Sequence, residues 1–433
     1  MDMTRTTAEQ RRRLQQMSRE ELASYQLERL NAELAAILPA NRFYAAKLAN
    51  FPSELKSLAE LAELPYTHKN ELSAPVASPL EAANLTWPPE RYVRFHQTSG
   101  TRGRPLPVLD TSNDWHWWIE GWQYVLDAAE VTAADRAMLA FSFGPFIGFW
   151  SAHDALTARG TMVIPGGGTN TIGRLDLLER SAATVLLCTP TYALHMAEVA
   201  RGHKIDLAAH SRVRKIIVAG EAGGSIPATR ERIESAWGAR VIDHSGASEV
   251  GPWGFADAED RGLHILESEF IAEFISIDTG EPAQEGELAQ LVLTSLGRYG
   301  MPVIRYLTGD LVRPTWPTTG PCRFVLLEGG VLGRVDDMLV VRGVNIFPSS
   351  IEQIMHSFPE VAEYRLTVGK RGAMDEMMIE VEDHLQQPGR IADELQLRLG
   401  VKVAVRLVEP ATLPRFEGKG QRFIDLRQEG AKQ

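Results

Sequence analysis

The sequence predicts an α/β protein: a large N-terminal α/β domain carrying a β-rich subdomain, followed by a small α+β C-terminal domain. Three observations predict it. The chain has 433 residues, well beyond the roughly 150 expected of one domain. Between residues 90 and 265, short apolar runs alternate with helical patterns. The pattern then turns to strands near Phe270 and starts afresh after Gly333. Alternating strands and helices build a largely parallel sheet, whose ligands bind beyond the carboxyl ends of the strands.

Residues 1–85 read as a helical layer and a linker. From Thr7 to Ile37 the pattern is helical, with Leu27, Leu30, Leu34 and Ile37 at three- and four-residue spacing and Pro39 as the stop. Between Pro52 and Pro89 the sequence is proline-rich and poorly periodic, which predicts a segment running over the surface. Residues 90–265 form the α/β core. Its buried strands are expected at Ala137 to Phe141, Thr161 to Ile164, Thr184 to Cys188, Lys215 to Val218 and Arg240 to Asp243, with a helix at Ala228 to Trp237 among the separators. Residues 268–332 are the β-rich subdomain. After a junction at 333–337, residues 338–433 give a strand, a helix opening near Ser349, strands near Tyr364 and Met377, a helix near Arg390 and a strand near Val403.

Composition narrows the function. With 56 acidic against 45 basic residues the net charge is −11, which repels nucleic acid, and no local basic patch overrides it. Only Cys188 and Cys322 are present, so neither a disulfide framework nor a paired-cysteine zinc site can be built. No apolar run approaches the ~20 residues of a membrane span. The expected location is the cytoplasm, with no nucleic-acid or membrane partner; a homodimer stays open.

The segment Thr98-Ser99-Gly100-Thr101-Arg102-Gly103-Arg104-Pro105 carries the strongest local signal. Its glycines let backbone amides turn toward one point, and its hydroxyls and arginines add donors and charge, which suits a polyphosphate. A hydroxyl-rich surface turn is the competing reading. No Gly-x-x-x-x-Gly-Lys-Ser/Thr occurs, which disfavours a P-loop kinase or ATPase. Gly246-Ala247-Ser248-Glu249-Val250-Gly251 nearly imitates a nucleophile elbow, but its second glycine is one residue late. Trp115, Trp117, Trp118 and Trp122 crowd one helical stretch; such stripes are more often core than cage.

TSGTRGRP, VAGEAGGSIP, DHSGASEVGPWG, RYLTGDL, GRVDDMLVVRGVNIFP and LPRFEGK occur in an order that resembles the acyl-adenylate-forming superfamily and, within it, the phenylacetate–CoA ligase family. The resemblance runs from about residue 20 to 427. It implies an N-terminal AMP-binding domain at 1–332, a hinge at 333–337 and a mobile C-terminal lid at 338–433. It implies ATP, Mg²⁺ and coenzyme A, with a small carboxylic acid as substrate. The acid would first become an acyl-adenylate, because a carboxylate is a poor electrophile and the mixed anhydride supplies a leaving group for thiol attack.

By the same resemblance, Lys419 and Glu249 are catalytic, Glu249 holding the magnesium. ATP or AMP would be bound by Thr98, Ser99, Gly100, Thr101, Gly103, Gly220, Glu221, Ala222, Asp243, His244, Ser245, Gly246 and Ser248, with Asp310 and Arg334 at the ribose. Asp336 matches the hinge, and Gly343 lies where the thiol arm of CoA approaches. Phe141, Phe143, Phe146 and Ala247 would line the acid pocket, favouring an aromatic or otherwise apolar acid. Two alternatives stand beside this one: transfer to a carrier-protein phosphopantetheine, and a nucleotide-binding homologue without catalysis.

The chain departs from the family pattern in three places. Arg102 and Arg104 replace a threonine and a lysine of the phosphate loop and keep its positive charge. Ser245 replaces the tyrosine that stacks on adenine, leaving His244 or apolar contacts to compensate. Gly262-Leu263-His264 matches part of a metal site in some relatives, but Cys322 is the one cysteine near it, so no zinc is expected.

Overall fold

The helical run that opens the chain is two helices, Ala8–Gln15 and Arg19–Ile37. In the computed structural model, residues 6–73, 82–98, 105–141, 143–259, 261–335, 339–341, 344–346, 348–371, 374–399, 401–414 and 422–427 are described. The break falls at Ser18, whose hydroxyl accepts from the Glu21 N–H while the Glu21 carboxylate takes the Ser18 N–H at 2.8 Å. This reciprocal cap starts a new helix inside an otherwise continuous apolar pattern. The second helix buries Leu22, Leu30, Leu34 and Ile37.

The stretch from Pro52 to Pro89 is not the surface segment its pattern predicts. Leu55, Leu61, Leu64 and Leu72 are each 2% exposed or less; the first three pack with Leu30, Leu34, Tyr44, Ile271 and Ile304, and Leu72 enters the main core. The local structure is two short 3-10 helices, Leu58–Glu63 and Lys69–Leu72. A 3-10 helix repeats every three residues, so Leu58, Leu61 and Leu64 share a face that a 3.6-residue search misses.

The central sheet has nine strands among the described residues. Met162–Pro165, Arg136–Leu139, Val185–Cys188, Lys215–Val218 and Arg240–Ala247 run parallel, in that spatial order. The sheet continues antiparallel through Gly251–Ala256, Gly262–Ile265, Leu326–Glu328 and Pro314–Thr315. Each parallel strand is apolar on both faces. Leu139, Leu187, Ile217 and Ile242 enter one core, and Met138, Leu186, Ile216 and Val241 enter the other. That is why these strands read as unbroken apolar runs. Trp115, Trp117, Trp118 and Trp122 lie buried on the helix Ser112–Ala128, as core.

Four more antiparallel strands, Phe270–Ser276, Ala289–Ser295, Tyr306–Val312 and Gly333–Arg334, form the β-rich subdomain. The C-terminal unit has its own sheet, in which Val361–Arg371 pairs with Met374–Asp383 and is flanked by Ala404–Leu407 and Phe423–Asp425. Helices Pro348–His356 and Pro388–Leu399 cover it over a separate core that includes Ile351, Leu366, Ile379 and Leu395.

His264 has both ring nitrogens engaged, Nδ1 at 3.0 Å from the Phe324 carbonyl and Nε2 at 3.0 Å from Asp257 Oδ1. A buried ion pair therefore occupies the position expected of a relative's metal ligand. Among the described residues, no three His, Cys, Asp or Glu side chains gather as a metal site.

Candidate functional site

The parallel strands deliver their carboxyl ends to one edge of the sheet, and most described candidates stand there. Thr98 follows the strand Tyr92–Gln97, which pairs with Pro107–Thr111. Its N–H donates to the Leu106 carbonyl at 3.0 Å, and the Leu106 N–H donates to its hydroxyl at 3.0 Å. These bonds close the base of the Gly-rich loop. Ser99, Gly100, Thr101 and Gly103 lie outside the described residues, as do Asp336, Gly343 and Lys419.

Beyond the strand Arg136–Leu139, Phe141 stacks on Phe149 with centroids 3.9 Å apart, and Phe143 meets Trp150 edge-on at 5.0 Å. The turn at Gly166 and Gly167 holds this wall; a Cβ at Gly167 would lie 2.9 Å from the Phe141 carbonyl. Ala247 packs against the same core as Phe141 and Phe143. Phe146 differs, standing 39% exposed at the rim.

Glu249 is 6% exposed. Its Oε1 accepts from the Tyr306 hydroxyl at 2.9 Å and pairs with Lys69 Nζ at 2.9 Å. Burial pushes its pKa up, but the Lys69 ammonium and these hydrogen bonds outweigh burial and hold it below the ordinary carboxylate range. A buried carboxylate kept ionised is a hard oxygen donor. The preceding Ser248 is fixed through its carbonyl, which accepts from Arg298 Nη1 at 3.0 Å. Arg298 is itself clamped by Asp110 in a fully buried pair at 2.7 Å.

Asp310 and Arg334 face each other across paired strands, with Arg334 Nη1 2.8 Å from Asp310 Oδ1 and Nη2 3.0 Å from the Thr308 carbonyl. Gly309 between them has φ +79, and a Cβ there would lie 2.8 Å from Arg334 Nη2. Glycine is thus required twice over, by conformation and by space. Tyr306 lies on the same strand, and its hydroxyl ties this pair to Glu249.

Gly220, Glu221 and Ala222 follow the strand Lys215–Val218. Glu221 accepts from the Thr191 N–H at 2.8 Å and from its hydroxyl, and burial raises its pKa. Asp243 is buried, bonded by the Ser225 hydroxyl, and burial pushes it up to about 6. Strand alternation sends His244 and Ser245 to opposite faces. The His244 ring lies 4.3 Å from Trp122 and bonds the Gly254 carbonyl at 2.7 Å. Burial lowers its pKa to about 4, so it stays neutral. His244 is therefore committed to the core side and does not replace the missing tyrosine ring. Gly246 is confined by the Gly251 carbonyl, 2.9 Å from where a Cβ would stand.

Sequence reasoning missed Lys69, Tyr306 as a partner of Glu249, and the Asp110–Arg298 clamp. Tyr306 sits inside a motif already singled out. Lys69 and Arg298 belong to no recognisable pattern.

Residues 17–268 match the AMP-binding enzyme family, and residues 343–427 match the AMP-binding enzyme C-terminal domain. The chain is 32% identical to the phenylacetate–coenzyme A ligase of Thermus thermophilus, over 96% of this chain and 98% of that one. It is 33% identical to the enzyme of the same name from Aromatoleum evansii, over 96% of each. Among solved structures, 2-hydroxyisobutyryl-CoA ligase in its postadenylation state superposes with a TM-score of 0.91 at 25% identity, covering 99% of this chain and 95% of that one. The same enzyme in its thioesterification state gives 0.73 at 26% identity, covering 98% and 94%. This chain belongs to the AMP-binding enzyme family and is an AMP-forming acid–CoA ligase of the phenylacetate–CoA ligase type, using ATP and CoA through an acyl-adenylate.

Proposed function

We propose that the acid is aromatic or otherwise apolar and that the candidate residues divide the two half-reactions among them. In the first, a carboxylate oxygen attacks the α-phosphorus of ATP and the bond to pyrophosphate breaks, leaving the acyl-adenylate. Two anions must approach, so positive charge and oriented donors carry the step. Thr98, Ser99, Gly100, Thr101 and Gly103 surround the phosphates, and Lys419 reaches the reacting carboxylate and α-phosphate. Glu249 fits a magnesium ion by its charge and oxygen donors; when bound, the ion neutralises developing phosphate charge. Asp310 accepts from the ribose hydroxyls, and Arg334 orients it. Gly220, Glu221, Ala222, Asp243, Ser245, Gly246 and Ser248 shape the nucleotide cleft.

In the second half-reaction the C-terminal domain turns about Asp336 and brings Gly343 beside the arriving thiol arm. The CoA sulfur attacks the acyl carbon, the bond to AMP breaks, and acyl-CoA and AMP leave. The two solved states of 2-hydroxyisobutyryl-CoA ligase support such a cycle by analogy.

The stacked Phe141 and Phe149, beside Phe143 and Trp150, carry the substrate assignment. A wall of four aromatic rings favours an apolar, planar acyl group. The phenylacetate–CoA ligases among the relatives support an arylacetic acid. The 2-hydroxyisobutyryl-CoA ligase structures favour a second reading, a small branched acid. The test is pyrophosphate release from MgATP with arylacetic, benzoic, medium-chain and 2-hydroxyisobutyric acids, with and without CoA, and Lys419→Ala as control. Aryl acids yielding acyl-CoA support the assignment. A preference for 2-hydroxyisobutyrate overturns it in favour of the second reading. Pyrophosphate without acyl-CoA points to a carrier protein as acceptor.

A further inference from the structure

The C-terminal unit does not merely lie against the sheet domain; it is keyed into it by polar groups. Its helix Pro348–His356 packs on the helix Pro227–Trp237 and on the strand Gly333–Arg334. At this junction the Thr229 hydroxyl, 0% exposed, shares a hydrogen bond with His356 Nδ1. His356 is 6% exposed. Burial, together with Arg232 and Arg422, pushes its pKa down to about 3, so the imidazole is neutral.

Behind this bond lies a charged cluster. Arg422 grips Glu363 through Nε at 2.6 Å and Nη2 at 3.1 Å, and its Nη1 is 3.4 Å from Glu352 Oε1. Glu352 is also 3.9 Å from His356 Nε2. Glu221, of the candidate nucleotide cleft, faces this cluster: it feels Arg422, and it adds to the burial that raises Glu352 to about 7. Arg232 faces it from the sheet domain.

An apolar contact tolerates an offset of an ångström or two, but a hydrogen bond between buried groups does not. Leaving this arrangement unpairs Thr229 and His356 at once. The arrangement corresponds to the postadenylation state of 2-hydroxyisobutyryl-CoA ligase, at a TM-score of 0.91, and differs from that enzyme's thioesterification state, at 0.73.

We infer that the Thr229–His356 bond, backed by the Arg422–Glu363 pair and opposed by the Glu352 carboxylate facing Glu221, is a latch that holds the C-terminal domain in the acid-activating arrangement and sets how the enzyme divides its time between the two half-reactions. The role in turnover rests on the two-step reading above; the latch itself does not. Thr229 and Glu352 are positioning residues, acting through the placement of the C-terminal domain.

The test uses the full-length chain. Thr229→Val removes the hydroxyl at similar volume, and Thr229→Ser restores it. Without substrates, amide exchange in residues 227–237 and 348–356 should quicken about 5-fold in Thr229→Val, the order expected for one net hydrogen bond, and stay as wild type in Thr229→Ser. With the best acid, pyrophosphate release should slow by a similar factor while thioester formation from supplied acyl-adenylate is unchanged or faster. Glu352→Gln removes the charge that opposes Glu221 and Glu363 at equal size. Its expected effect is of opposite sign: slower exchange in both helices and slower thioester formation. It carries the test if Thr229→Val fails to fold. Unchanged exchange and unchanged half-reactions overturn the latch, as does an equal slowing of both half-reactions with exchange raised throughout the chain. If the wild type activates no acid, the functional reading fails, and the exchange measurements still decide the latch.

Discussion

Replacing His264 by asparagine should cost stability by an amount that depends on pH. The imidazole is 2% exposed, and its two ring nitrogens face the Phe324 carbonyl and the Asp257 carboxylate. Both partners only accept, so both nitrogens must carry protons. Burial by itself would push the pKa down; the hydrogen bonds the ring donates to Asp257 and Cys322 outweigh it and hold His264 at about 10, against 6.5 ordinarily. Because the folded value lies above the unfolded one, the stabilisation is complete below the unfolded value of ~6.5 and is lost as the pH rises through about 10. Asp257 moves the other way. Although burial opposes it, hydrogen bonds from His264 and Arg261 hold its pKa down, so its share is present above its unfolded value of ~3.9 and is lost only in strong acid. At ~1.4 kcal/mol per pH unit, the gap at His264 has a ceiling of about 5 kcal/mol, matching the ~3–5 kcal/mol for breaking a buried pair. By pH 9 only about a third of it survives. All nine tryptophans precede residue 333, so tryptophan fluorescence in urea reports the N-terminal domain alone. The loss of unfolding free energy in His264→Asn should be about three times larger at pH 6 than at pH 9. Equal losses at the two pH values would refute the charged-histidine argument.

Other perturbations have equally definite outcomes. Lys69→Met and Tyr306→Phe each remove one partner from Glu249, and each should slow pyrophosphate release roughly 5- to 30-fold, about 1–2 kcal/mol; an unchanged rate for both would show that Glu249 needs neither. Gly309→Ala places a Cβ against Arg334 at a left-handed backbone position, and should raise the KM for ATP while costing roughly 1–2 kcal/mol of stability, measured by kinetics and by denaturation. Leu61→Ala empties a site inside the N-terminal cluster and should cost about 2–5 kcal/mol in the same fluorescence titration. Phe141→Ala opens the aromatic wall and should lower kcat/KM for aryl acids by at least about 10-fold, with little change for small aliphatic acids.

The central sheet was legible because its strands are buried on both faces, which forces unbroken apolar runs such as Lys215–Val218. The helix break at Ser18 was written in the sequence as a Ser-x-x-Glu cap, yet the leucine spacing on either side overrode it. The leucines between Pro52 and Pro89 were hidden by a three-residue repeat that leaves almost no helical signature. Of the candidate site, the residues the sequence could single out stand in local motifs: Thr98, Glu249, Asp310 and Arg334. Their supports do not, because Lys69 reaches Glu249, and Asp110 reaches Arg298, only through the fold. No local pattern encodes a contact across such distances; it follows from packing. The neutral, inward-facing His244 was unreadable for a related reason, since its side depends on strand register and on Trp122.

The burial of the leucines after Pro52 bears on how enzymes of this type can be recombined. A designer exchanging acid specificities would choose a crossover near residue 90, where the pattern suggests that a surface linker gives way to the α/β core. That cut would graft the wall of Phe141 and Phe143 onto a foreign N-terminal segment, and with it a foreign partner for Glu249. The graft would inherit a pocket from one parent and an electrostatic counterweight from the other. Hybrids that keep residues 55–72 together with the aromatic wall, Glu249 and the strand Tyr306–Val312 preserve both, so the unit that must be inherited together is discontinuous in sequence.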